Sequence, residues 1–255
     1  MSFRLRKYFF ALASCFLALA VYSQAKHKIM IIPFEPKMYM SQIDHKFNAE
    51  TKLTQKQIKE SFRRGVNAEL SKALKKNYDL VDLLKDTTKY KKDLFTIYKS
   101  LTYNFVKVPD QSNYKAPLTE KEKKNQTIKN GQLVVETDPN ARFMNAKITS
   151  AGIIPEMYAK HKTDLFLFIN QIDITSSAVV ASESGTISER MITLHYTVYT
   201  VDAKEINSGT CSLKFPGDVN SPSKVISMYI SKMATEITRR INLALSKPKV
   251  VEKKK

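Results

Sequence analysis

Three runs in the carboxyl-terminal half constrain the fold more than any other feature of the chain. Asp164–Thr175, Arg190–Val201 and Ile206–Phe215 are rich in β-branched and aromatic residues, which suit a pleated, half-buried surface. Asp202-Ala203-Lys204-Glu205 supplies a turn between the second run and the third. Leu165–Ile169 is apolar at every position, so it belongs at the centre of a sheet covered on both faces. The chain must therefore supply a packed layer on each side of that sheet.

The preceding sequence offers those layers. Lys28–Phe34 is a short apolar run closed by Pro33 and reads as a buried strand. Thr54 and Gln57 form a capping-box pattern at the head of a helix. Ile58, Phe62, Val66, Leu70 and Leu74 then recur at helical spacing, and Asn77 is placed to end the helix in the left-handed conformation. Tyr78–Leu84 reads as a second strand. Asp86–Phe105 reads as a second helix, with Leu94, Ile97, Tyr98, Leu101 and Phe105 on one side. Gln132–Thr137 and Arg142–Ile148 flank Asp138-Pro139-Asn140 as a hairpin, and Gly152–His161 is a short helix. Ser221-Pro222 opens the last helix, serine capping and proline at its first position, with Ile226, Ile230, Met233, Ile237 and Ile241 as its apolar stripe. The expected fold class is α+β (α/β), a mixed or antiparallel sheet with amphipathic helices packed on it and a lysine-rich insertion.

The amino terminus has the three parts of a secretory signal peptide. Arg4, Arg6 and Lys7 precede an almost wholly apolar stretch from Tyr8 to Tyr22, and Ser23-Gln24-Ala25 offers a cleavage site after Ala25. The apolar stretch is shorter than the roughly 20 residues of a membrane span. Leu12-Ala13-Ser14-Cys15 also resembles a lipobox, which leaves lipidation of Cys15 as an alternative, although the apolar run continues past it to Val21. The domain plan is thus a signal peptide at 1–25, a single α/β domain at 26–246 with a polar insertion at about 106–150, and a basic tail at 247–255. Export to the periplasm follows, either free or membrane-associated.

Charge and cysteine usage narrow the partners. The chain carries a net charge of +18, and removing the three signal cations leaves it near +15. Export sets nucleic acid aside and points this charge toward envelope protein, anionic lipid or cell-wall polymer. Scattered lysines also serve solubility alone. Only Cys211 remains beyond the signal segment, so no intramolecular disulfide can form; its alternation with Leu213 and Phe215 makes it a buried thiol.

The order strand, long helix, strand, then three strands and a closing helix resembles a group of bacterial envelope modules. These are the curli secretion lipoprotein, the lipoprotein activators of penicillin-binding proteins, and the amino-terminal domain of the translocation protein TolB. The residues concerned are Ile29–Glu35 with its Pro33-Phe34-acidic ending, the Tyr78–Leu83 strand, and the long strands joined at Asp202–Glu205 with Ser208-Gly209 beyond. The resemblance covers about residues 28–84 and 164–246. Where the curli family continues with an aspartate and a Thr-Gly pair, this chain has Pro36-Lys37-Met38. What the resemblance implies is a protein-binding adaptor of the envelope.

No residue pattern reads as catalytic, and none calls for a cofactor or a metal. His27, His45, His161 and His195 lack metal-ligand spacing. His195 alternates against Leu194, Tyr196 and Val198 and is expected to face solvent. Asp44-His45 is adjacent in sequence, a poor geometry for catalysis. Phe34, Met38, Tyr39 and Met40 form a candidate partner-binding surface, with burial under the first helix as the alternative. Asp86-Thr87-Thr88 resembles a periplasmic O-glycosylation acceptor and equally suits a helix cap.

Overall fold

A computed structural model describes residues 26–107, 128–129, 132–133, 142–182 and 185–246. The signal segment with Cys15 and Ala25, Lys121–Lys124, the Asp138-Pro139-Asn140 turn and the tail at 247–255 lie outside the described residues. In chain order the strands are β1 (Lys28–Ile32), β2 (Tyr39–Ser41), β3 (Asp79–Asp82), β4 (Leu101–Lys107), β5 (Ile128–Lys129), β6 (Gln132–Leu133), β7 (Arg142–Ile148), β8 (Leu165–Ser182), β9 (Gly185–Thr200) and β10 (Glu205–Pro216). The helices are α1 (Asp44–Thr51), α2 (Gln55–Leu74), α3 (Lys91–Lys99), α4 (Ile153–His161), α5 (Pro222–Val225) and α6 (Ser231–Ser246). A π turn, Ile226–Ile230, joins the last two.

The main sheet has the order β10-β9-β8-β1-β3, with β2 also paired to β8. β8, β9 and β10 are antiparallel, whereas β1, β2 and β3 join in parallel, so the fold is α+β with a mixed sheet. Alternation along the strands divides the core in two. Ile29, Ile31, Leu165, Leu167 and Ile169 face α2 and α6, while Met30, Ile32, Phe166 and Phe168 face α3, α4 and the β4–β7 ribbon. A bulge between Ile169 and Gln171 inserts Asn170 and reverses the parity of β8. Ile172 and Ile174 thereby stay on the α2 side, and Gln171 and Asp173 turn to the other.

α2 follows its sequence signal. The Thr54–Gln57 capping box is formed, and Ile58, Phe62, Val66, Leu70 and Leu74 are buried. Burying five such side chains contributes on the order of 10 kcal/mol before chain entropy is subtracted. Gly65 sits where α2 crosses the π turn: a Cβ there would lie 2.5–2.8 Å from Ile226 side-chain atoms.

Several expectations are corrected. The helix expected over Asp86–Phe105 is only Lys91–Lys99; Ser100 N–H bonds back to Ile97 O, and the chain continues as β4. In Leu101–Lys107 a two-residue alternation of half-buried Leu101 and Tyr103 prevails over the helical spacing of Leu101 and Phe105. β7 pairs with β4, and Gln132–Leu133, from the segment expected to form a hairpin with β7, pairs with Ile128–Lys129. α2 stops at Leu74, and Asn77 has no positive φ. Ser221 does not cap with its side chain, although Pro222 does occupy the first turn.

Candidate functional site

The expected Phe34, Met38, Tyr39 and Met40 surface is divided by the fold. β2 pairs with β8 through Tyr39↔Ile172 and Met40↔Asp173, so alternation turns Tyr39 in and Met40 out. Phe34 and Tyr39 are core residues: Tyr39 packs on the Phe62 ring at 5.7 Å and donates its hydroxyl to Asp44. Burial, then the Asp44 carboxylate, pushes the Tyr39 phenol far up. Met38 is half-buried against the core, which leaves Met40 alone exposed, at 55 %. Asp44 is thus committed to Tyr39, and His45 points into solvent.

The Pro33-Phe34-Glu35 ending of β1 has a structural use. Tyr98 donates to Pro33 O at 2.7 Å, and Arg63 donates to Phe34 O and to the Tyr98 hydroxyl. Burial lifts the Tyr98 phenol to about 12 against the opposing pull of Arg63. Glu35 pairs with Lys37 at 3.0 Å.

His195 is buried, not solvent-facing, because the β4–β7 ribbon covers its side of β9. Met144 N–H donates to His195 Nδ1 at 2.9 Å, which fixes the proton on Nε2, and Nε2 donates to Asp173 at 2.7 Å. Asn170 donates to Met144 O, and Tyr199 donates to Ala146 O. Side chains of β8 and β9 therefore satisfy alternate backbone groups of β7, and this is why polar residues lie buried here. Both His195 nitrogens are hydrogen-bonded, Nδ1 to the ribbon and Nε2 to Asp173 of β8. His161 and Lys160 likewise meet buried Asp93, joining α4 to α3, and His27 pairs with Asp164 between the starts of β1 and β8. Burial would raise the Asp93 carboxyl, but Lys160 and His161 hold it below its usual range. Cys211 is buried on the α6 side.

The histidines and aspartates of these clusters are paired with one another. Among the described residues, a groove of about 1110 Å³ lined by polar groups lies beside β3, whose other edge has no strand neighbour there. Lys72 and Lys75 enter it from the end of α2, Lys26 from ahead of β1, and Lys85 and Lys89 from the turn that leads to α3. Lys26 Nζ reaches Lys76 O, and Lys89 lies over the Tyr90 ring. Among the described residues, Lys72, Lys75 and Lys85 have no carboxylate within ion-pair distance.

The acidic members of the groove are mostly occupied. Asp82 accepts from Asn67, Ser71, Leu84 N–H and Lys85 N–H, and Asp86 accepts from Lys89 N–H in the turn ahead of α3, whose own N-cap is Tyr90. Sequence reasoning missed this site. Its lysines come from three separate segments, and only strand pairing makes β3 an edge. Among the described residues no group of His, Cys, Asp and Glu is placed to hold a metal, and no helix is long and apolar enough to cross a membrane.

No family model matches the chain, and no curated protein does. Solved bacterial structures align over most of it at low identity. Lipoprotein GNA1162 from Neisseria meningitidis is 12 % identical, with a TM-score of 0.36, over 84 % of this chain and 99 % of its own. The hypothetical protein CT253 from Chlamydia trachomatis is 9 % identical, with a TM-score of 0.39, over 87 % and 99 %. A neuraminyllactose-binding hemagglutinin homolog from Helicobacter pylori is 11 % identical, with a TM-score of 0.29, over 87 % and 81 %. Likeness this distant carries no argument about what the chain does.

Proposed function

We propose that the chain is a non-enzymatic exported adaptor or accessory protein of an envelope assembly, secretion or cell-wall machinery, and that it captures its partner at the groove beside β3. One observation carries this reading: among the described residues, a sheet edge without a strand neighbour lies beside three lysines without carboxylate partners. An edge strand presents backbone donors and acceptors to another chain. Export rests on the signal segment described above.

A second reading, a binder of an anionic envelope polymer or lipid, is favoured by the net charge of +18. Ionic strength separates the two, because contacts made through exposed lysines weaken as salt rises. Chemical crosslinking in intact cells, followed by recovery at low and high salt, tests the proposal. The adaptor reading expects one dominant envelope protein at both salt levels. Recovery of only lipid or wall fragments, lost as salt rises, contradicts it.

A further inference from the structure

Resting on that reading of the groove, we infer that its occupant is an extended acidic polypeptide segment that adds as a strand to β3. Asp79 N–H donates to His27 O, on the β1 side. Backbone direction alternates along a strand, so the N–H and C=O of Leu80 face the groove. The edge is short. Asp82 O is taken by Lys85 N–H at 3.3 Å, which closes it at that end. An added segment therefore gains few backbone hydrogen bonds, and charge must supply much of the affinity.

The charge is placed for that. Leu80 packs toward the α2 side of the sheet, the layer from which Lys72 and Lys75 project, whereas Lys85 follows the strand's end. An occupant with a carboxylate at every second residue sets one row of acids on the α2 side while its backbone pairs with Leu80. Phosphatidylglycerol head groups and inorganic polyphosphate can meet the lysines, but they offer no N–H for the Leu80 carbonyl. The pairing of lysines with an open strand edge selects a peptide over those polyanions.

The test uses an acetylated, amidated heptapeptide alternating Glu and Val, with the protein as purified from cells. Two further forms carry N-methyl groups, one on the odd amides and one on the even. Inorganic polyphosphate and phosphatidylglycerol vesicles are the competing polyanions. Affinity is read by fluorescence anisotropy, and the Leu80 amide by NMR hydrogen exchange.

The proposal expects the parent peptide to bind and slow exchange at Leu80. One methylated form should lose about tenfold or more in affinity, and the other should stay within about twofold. Lys72→Glu combined with Lys85→Glu, both at exposed positions, should also cost about tenfold or more. No binding of the parent peptide at millimolar concentration overturns the proposal. So does equal binding of both methylated forms, or polyphosphate or vesicles binding as tightly with no change at Leu80. Those results leave capture at the groove standing, because in-cell crosslinks from groove positions test it separately.

Discussion

Removing the His195 side chain should loosen the β4–β7 ribbon from the sheet, and the cost can be worked from its two hydrogen bonds. In His195→Ala the half-buried Met144 N–H loses the acceptor that buried His195 supplied, and an amide left unpaired there costs about 1–3 kcal/mol. The bond to Asp173 adds less than a buried charged bond would. Asp173 keeps Gln171 at 2.7 Å, and its side chain is 25 % exposed, so water can replace the imidazole. The net loss is about 2–3 kcal/mol, which for a domain of this size lowers Tm by roughly 5–10 °C. Denaturant unfolding measures the total, and hydrogen exchange at the Met144 amide locates it. Exchange there should accelerate more than at Leu167 in the central strand. A loss under about 0.5 kcal/mol, the range of an unremarkable surface change, would refute the attachment reasoning, as would unchanged protection at Met144.

Three further outcomes follow from the same packing and charges. Gly65→Ala should destabilise by about 1–3 kcal/mol despite alanine's better helix propensity, because the new methyl meets Ile226; Ile226→Ala in the same chain should recover part of the loss in a thermal melt. Burial first, opposed by Arg63 and Arg240 respectively, raises Tyr98 and Tyr196 to about 12 from an ordinary value near 10. Each therefore contributes stability that is present below pH ~10 and lost as pH rises through ~12, so tyrosinate absorbance and loss of circular dichroism should appear together in that window. Asp93 is held below its unfolded value of about 3.9, so its contribution is present above that pH and lost as pH falls through the folded value. The stability difference between the native chain and Asp93→Asn, about 1–3 kcal/mol at neutral pH, should shrink on acidification below about pH 4 in urea titrations.

Sequence patterns exposed those parts of the fold whose signals are local. The α2 stripe and its Thr54–Gln57 box are set within one helix, and Leu165–Ile169 declares a two-sided environment by having no polar face. β4 was hidden because Leu94, Ile97, Tyr98, Leu101 and Phe105 fit a helical spacing across what is a helix followed by a strand. His27, His161 and His195 concealed their roles for another reason. Their aspartate partners lie 137, 68 and 22 residues away, beyond the reach of any motif. For Phe34, Met38, Tyr39 and Met40 the sequence left a binding surface and burial under the first helix both open, because polar residues follow them; parallel pairing of β2 with β8 draws Tyr39 inward onto Phe62 of that helix. The groove was the least legible part, since an open edge is a property of the whole strand order.

Capture of a partner at the β3 groove is tested most directly by a photo-crosslinking amino acid placed in turn at positions 72, 75 and 85, with exposed Met40 and Met228 as positions outside the groove. In intact cells, the three groove positions should yield adducts to the same protein, and Met40 and Met228 should not. Adducts of equal yield from Met40 and Met228, or none from positions 72, 75 and 85, would contradict the account.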